Sequence, residues 1–353
     1  MNAEICDRYL DDFNVVFEAV KSATEIDRPK RLYCVQLPIG LGGQISIRID
    51  AIILAILFDR AIYFLSKEDY PYGQVFENFG FIADSGFDWE GRPKYSCDAE
   101  FSDVENLVFD RRTTSIRGMD GLILPQLVEA LKIKLNLQAI DGLLIEGLVF
   151  KSLKIKEDIF AESLDFVGRM GINHETIGVH YRRGDKKVES AYVPADLVNM
   201  EISNFHSSGN FKSVFIASDT PLATKEVQYP DDLKLIFDFE ENRFDNANHK
   251  MLFKNRALSD QETRVAIKNI IALASCGAIV GQNNAHFALI AASCIALKNS
   301  DRANYRLIDG YFLEKSNGVV SLKFKIKRVL RGFAKKLVPW MTVYSRVSKA
   351  QKR

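Results

Sequence analysis

The stretch "RLYCVQLPIGLGGQISIRIDAIILAILFDRAIYFL", Arg31 to Leu65, decides the fold. Its first seven residues are mostly apolar or aromatic and fit a short buried strand, and "AIYFL" (61–65) fits another. Between them lie a loop, "PIGLGGQ" (38–44), and a helix with Ile45, Ile49, Ile52, Ile53 and Ile56 on one face. Strand, glycine-bearing loop, helix and strand make one β-loop-α-β unit, with the glycines where the helix begins. Glycines there let backbone N–H groups approach an anion at the positive end of the helix. The pattern is Gly40-x-Gly42-Gly43 rather than GxGxxG, and a tight turn is the commoner reason for three such glycines.

The alternation extends outward from this unit. Tyr9, Phe13, Val16, Phe17 and Val20 share a helical spacing before it. Residues 66–120 are aromatic and turn-rich with no clear period, and helical patterns resume near 122–138 and 157–168. Strands are expected at 177–181, 213–218, 233–239, 278–281 and 305–309. Helices are expected over about 195–207, 261–275 and from the fourth of these strands to about 298. This is an α/β chain. At 353 residues it suits two domains of ~150 each. They are expected at 1–165 and 170–315, followed by a tail, 316–353.

Hydrophobic residues make up 47% and charged residues 26%, as in soluble globular proteins. The net charge of +1 offers no basis for a nucleic-acid partner. It hides an asymmetry: Leu322–Arg353 holds eleven Lys or Arg and no Asp or Glu, so the remainder stands near −10. Leu322, Ile326, Val329, Leu330, Phe333 and Leu337 share one helical face of that tail, and Pro339 ends it. Two readings stand: a basic amphipathic helix on an anionic membrane surface, or a helix packed on its own acidic body. Five cysteines, an odd number without CxxC, argue for a reducing compartment and against a zinc site or disulfide framework. The start of the chain has no signal-peptide pattern, and no apolar run reaches ~18 residues. The expected location is cytoplasmic, with the tail offering peripheral contact at the inner membrane face.

"IGVHYRRGDKKVE" (177–189) delivers an unusual amount of charge to one strand end. Open α/β sheets bind ligands outside the carboxyl ends of their strands. Arginine suits phosphate there because its planar fork is always charged. Side-chain alternation puts His180 and Arg182 on one side, with Arg183 on the other or leaving with the loop. A solvated charge run explains the stretch equally well. The RGD within it follows a buried strand, which argues against an adhesion signal. Asp219 in "IASDTP" (216–221) and Asn283, Asn284 and His286 in "VGQNNAHFALIAAS" (280–293) also stand at strand ends. Helix capping or binding of phosphate or ribose accounts for either group. There is no DxD, GK[ST], HExxH or serine elbow.

The ordered blocks "GLGGQ", "HYRRGDK" with Glu189, "FIASD", Arg264-x4-Asn269 and "VGQNNAHFALIAAS" resemble the fucosyltransferase superfamily, above all its alpha-1,6 branch. The superfamily also includes alpha-1,2- and protein O-fucosyltransferases. The resemblance is strongest over 177–310 and looser over 38–65. It does not cover 66–170 or the tail. It implies a GT-B arrangement, two Rossmann-like domains facing a cleft. It also implies GDP-fucose as donor, a glycan acceptor, inversion at the anomeric carbon, and no metal or other cofactor. By position, Arg182 would contact the β-phosphate, and Arg183 would be essential around the diphosphate or acceptor. His180 would lie against the nucleotide, and Gly40, Gly42 and Gly43 would approach the diphosphate. Asp185, Lys186 and Glu189 would form the charged cluster at the acceptor, with Glu189 as general base and Lys186 orienting it. Asp219 would match an essential aspartate. Asn269 would sit where an aspartate reads guanine, and Asn284 or Ala285 where serines touch phosphate.

Three departures bear on this. The Lys186–Glu189 loop is one residue short, which leaves Asp185 as the alternative base. Asn269 replaces a carboxylate, which leaves another nucleotide sugar open. Gly43 stands where the alpha-1,2 and protein O-fucosyl groups often have asparagine. An inactive nucleotide- or carbohydrate-binding module is the reading from a different class.

Overall fold

Two all-parallel β-sheets organise the chain in the computed structural model. The structure describes residues 5–37, 39–65, 75–78, 80–84, 86–96, 101, 103–118, 120–138, 140–183, 192–244, 251–252, 254–299 and 304–308. The first sheet contains β1 (Arg31–Val35), β2 (Ala61–Leu65), β3 (Phe81–Ile82) and β4 (Asn106–Phe109), in the order β3-β2-β1-β4. The second contains β5 (Thr176–Tyr181), β6 (Ser213–Ser218), β7 (Lys234–Ile236), β8 (Ala278–Gln282) and β9 (Tyr305–Ile308), in the order β7-β6-β5-β8-β9. In each sheet the winding reverses once, between β1 and β4 and between β5 and β8. These are the positions where doubly wound sheets open a crevice at their strand ends. The expected pair of Rossmann-like halves is what the structure shows.

The helices are α1 (Leu10–Glu25), α2 (Leu41–Leu57), α3 (Pro125–Leu135), α4 (Gly142–Ser152), α5 (Glu157–Met170), α6 (Ala195–Ser208), α7 (Ala223–Glu226), α8 (Arg256–Ser275) and α9 (His286–Lys298). Every residue of α2 from Leu41 to Ile56 is buried, as expected of a helix packed on all sides. Its start differs from expectation. The helix begins at Leu41 with Gly40 as N-cap, so Gly42 and Gly43 occupy its first turn rather than a loop. α4 was not anticipated: "GLLIEGLVFKS" is apolar all round and shows no single face. Asp141 caps it, accepting from the backbone N–H groups of Leu143 and Leu144 at 3.0 and 2.9 Å. α3 starts with Pro125 rather than near 122 and ends at Asn136 in the left-handed region, with φ 55°. β7 is shorter than the expected 233–239 strand.

One hydrophobic cluster runs through both halves, from Phe13, Ile52 and Leu144 to Ile270, Leu289 and Leu297. Its centre is the contact between α4 and α9, and α5 lies along α8. A Cβ on Gly147 of α4 would stand 2.8 Å from the Leu297 side chain and the Ser293 carbonyl of α9, so the two helices meet almost backbone to backbone. The outer face of the second sheet is covered by α6, with Val198, Ile202 and Phe205 in the same cluster as Ile177, Val179 and Tyr181. The outer face of the first carries Tyr33, stacked on Phe87 at 3.8 Å. Cys6, Cys34, Cys276 and Cys294 are unbridged. Among the described residues no helix is long and apolar enough to cross a membrane. The tail from 322 to 353 lies outside the described residues.

Candidate functional site

β5 and β8 pair in parallel, Val179 beside Val280, and their carboxyl ends lie at the reversal of the second sheet. β5 hands on to Arg182 and Arg183, and β8 to Asn283 and Asn284 before α9 begins at His286. The site is built where these ends meet the start of α2. A Cβ on Gly42 would lie 2.6 Å from the Phe287 ring and 3.2 Å from the His286 Cβ. Only a glycine allows that approach, and it sets the amino end of α2 against the amino end of α9. A Cβ on Gly281 would similarly lie 2.5 Å from that of Ala288, which lets α9 sit close on β8. The His180 and Phe287 rings are 5.6 Å apart, which places His180 on this same side of the sheet. Helix amino ends carry unsatisfied N–H groups and a partial positive charge, so this junction favours an anion.

Asn283 strengthens that reading. It is 8% exposed, and its Oδ1 has no hydrogen-bond partner among the described residues. A buried acceptor left so is costly unless a ligand or water satisfies it. The capping explanation does not hold for it: the N-cap of α9 is Ala285, and no side chain accepts there.

The two arginines separate as side-chain alternation requires. Arg182 is about one-third exposed at 35%, with its Nε 3.6 Å from Asp219 Oδ2. The other carboxylate oxygen of Asp219 accepts from the Arg183 backbone N–H at 2.8 Å. Asp219 therefore braces the turn that carries Arg182 rather than capping α7, whose N-cap is Leu222. Arg183 lies on the opposite face with its donors committed. Its Nε donates to Glu226 Oε2 and its Nη1 to the Val193 carbonyl, both at 2.9 Å, and its Nη2 to the Tyr181 hydroxyl. Its guanidinium stacks over the Tyr181 ring at 3.9 Å and stands 5.1 Å from the Tyr192 ring centre. These contacts hold Arg183 in a bracing position beside the β5 end. Asp185, Lys186 and Glu189 lie outside the described residues.

Asn269 stands apart from the arginines, buried on α8. Its Nδ2 donates to both oxygens of Glu241, at 3.0 and 3.1 Å. Lys268 bonds Asp238 at 2.6 Å and Glu241 at 3.2 Å. Asp238, Glu241 and Lys268 border a cavity of about 490 Å³ whose lining also includes Phe166, Phe237 and Glu262. Burial, and then the neighbouring Glu241 carboxylate, push the Glu262 carboxyl up to about 8. Arg243 connects this region to the strand ends. Its Nη2 bonds the Asp238 carbonyl at 2.6 Å, its Nε the Ser218 carbonyl at 3.2 Å, and it stacks on Phe237 at 4.3 Å. Glu241 was missed because nothing in "DFEENRF" marks one carboxylate over its neighbours; the Lys268-Asn269 pair that selects it is remote in sequence.

The first half contributes a buried charge network that sequence reading also missed. Arg117 donates to Asp50 of α2 at 2.7 Å, and to Glu146 of α4 and the Gly121 carbonyl at 2.8 Å. Arg111, just past β4, bonds Ser46 at 3.1 Å and lies 3.7 Å from Asp50. Burial disfavours the Arg117 cation, but its two carboxylate partners outweigh it and raise its pKa. Burial lowers Arg48 to about 9, and its guanidinium stands 4.9 Å from the centre of the Phe64 ring. The four network residues come from three segments, two of them in or beyond the stretch without period. Among the described residues no group of three or more His, Cys, Asp or Glu is placed to hold a metal ion.

No family model matches this chain, and no curated protein matches it. Its fold is similar to that of several solved structures. NodZ alpha-1,6-fucosyltransferase soaked with GDP-fucose is 14% identical with a TM-score of 0.47, over 76% of this chain and 93% of that one. An Arabidopsis thaliana FUT1 mutant in complex with GDP is 12% identical with a TM-score of 0.49, over 82% and 74%. POFUT1 in complex with GDP is 10% identical with a TM-score of 0.46, over 81% and 100%. Likenesses at this level assign no role to any residue.

Proposed function

We propose that this chain is a glycosyltransferase that moves fucose from GDP-fucose to a hydroxyl of a glycan acceptor. The observation that carries this reading is the junction at the β5 and β8 ends: Gly42 sets the amino end of α2 against that of α9, Arg182 follows β5, and Asn283 follows β8 with a buried acceptor unmatched among the described residues. A cation and two helix amino ends suit a diphosphate, and the ordered motif blocks suit this donor among nucleotide sugars. As the anomeric bond breaks, negative charge grows on the leaving diphosphate, and Arg182 with the helix amides stabilises it. The acceptor oxygen attacks from the opposite face, and its proton passes to a carboxylate, Glu189 or Asp185. No step of this scheme needs a metal, because the arginine and helix ends carry the charge compensation. Arg183 and Asp219 hold the turn that presents Arg182.

A second reading, transfer from another nucleotide sugar, has one observation in its favour. Asn269 stands where the resemblance implies a carboxylate and its Nδ2 is committed to Glu241, so a base would meet a neutral amide oxygen there. A thermal-shift panel of GDP, UDP, ADP and CMP separates the two. The proposal expects stabilisation by GDP above the other three; a larger shift with UDP or ADP would replace it with the second reading.

A further inference from the structure

We infer that the basic tail segment, Leu322–Leu337, docks on the chain's own body in an acid-rimmed apolar groove formed by the 118–123 turn, α3 and the start of α4. The inference does not depend on the reaction proposed above. The groove has a volume of about 650 Å³, within the range of clefts that take ligands or side-chain anchors. Ile123, Val128 and Ile140 contribute its apolar floor, and Asp120, Glu129 and Asp141 its rim. Lys132 also lines it and pairs with Glu129 at 3.3 Å, which leaves these four charges at a net of −2. Asp120 accepts from the Leu122 N–H and Asp141 caps α4, so both are held in place by the backbone.

Three observations select the occupant. The first is position. Ile308, the last described residue, accepts a hydrogen bond at its carbonyl from the Asn283 N–H at 3.1 Å. Gly121, at φ +81°, packs so tightly on the far side of Asn283 that a Cβ would stand 2.8 Å from its carbonyl oxygen. The chain therefore leaves the described structure two contacts from the groove. The residues from 309 to 321 span up to about 45 Å when extended, ample for the return. The second is charge: the tail from 322 carries eleven cations and no anion, and the rest of the chain stands near −10. The third is spacing. Ile326, Leu330 and Phe333 follow the i, i+4, i+7 pattern by which an amphipathic helix fills an apolar groove, with Lys325, Lys327 and Arg331 interleaved. Docked there, the tail borders Asn283 from the side of the first half.

The test uses the full chain in two arms. Zero-length carbodiimide cross-linking with mass spectrometry should join Asp120, Glu129 or Asp141 to tail lysines within one chain. The paired substitution L330D/F333D should remove most of those links. In the second arm, the wild type and D120K/E129K, both changes at exposed rim positions, are mixed with vesicles of equal parts phosphatidylserine and phosphatidylcholine. Release of the tail should make the double variant bind about tenfold more tightly than the wild type, as several freed cations reach the anionic surface. Vesicle binding equal in the two proteins would overturn the inference. So would tail lysines linked mainly to other carboxylates, or links that form only between chains.

Discussion

Arg182 and Arg183 leave the same strand end and meet different surroundings. Arg182 is about one-third exposed with Asp219 at 3.6 Å, while Arg183 is more deeply buried, bonds Glu226, Val193 and Tyr181 and stacks on Tyr181. The account therefore expects different failures. Arg182→Ala should lower transfer by about 10²–10³-fold with little change in melting temperature. Arg183→Ala should instead cost about 1–3 kcal/mol of stability, through loss of charge-assisted bonds in a half-buried setting. Paired kinetic and melting measurements check both; equal stability loss in the two variants would merge the roles. Glu262 carries a pH prediction. The folded chain holds its proton up to about pH 8, against a reference of 4.5, so its contribution to stability falls as the pH rises between those values. Glu262→Gln should flatten that decline and gain about 1–2 kcal/mol at pH 9, read from denaturant midpoints at pH 5, 7 and 9. Identical slopes in the two proteins would contradict it. The alternation of His180, Arg182 and Arg183 was legible because period-2 geometry is local. The partners Glu226, Val193 and Glu241 were not, because each comes from a distant segment.

At the scale of elements, the junction depends on how closely α2 approaches α9. Gly42→Val would drive branched carbons into the Phe287 ring, which a Cβ alone would reach at 2.6 Å. It should weaken GDP binding by about tenfold or more, and a second change, Phe287→Ala, should restore part of the loss. Calorimetric titration measures both; unchanged affinity in Gly42→Val would remove the α2 amino end from the site. The elements around this junction could be read from sequence because strand, glycines and helix follow one another within thirty-five residues. α4 could not, since a helix buried on every side has no polar face to give it a period, and two of its residues are glycines. β3 and β4 are short, two and four residues, and fall within a stretch of turns that hides them.

Across the whole molecule, the shared α4–α9 core and the Asp50–Arg117–Glu146 network determine cooperativity. Both link segments far apart in sequence: Arg117 alone joins α2, α4 and the turn that meets Asn283. Removing it takes the bonded cation from buried Glu146 and leaves Asp50 with Arg111 at 3.7 Å, so Arg117→Met should cost about 3–5 kcal/mol. Scanning calorimetry should show one transition for the wild type and a lower one for the variant; two separate transitions in the wild type would mean that the halves unfold independently. The fusion of the two cores could not be read from sequence, because it is a property of packing. The measurement closest to the central claim is release of GDP from GDP-fucose, followed with and without a pool of glycan acceptors, by the wild type and Arg182→Ala. The account predicts turnover in the wild type, faster with acceptor, and a loss of about 10²–10³-fold in the variant that still melts like the wild type. Wild-type turnover in Arg182→Ala, or no GDP release by a wild type that binds GDP, would contradict it.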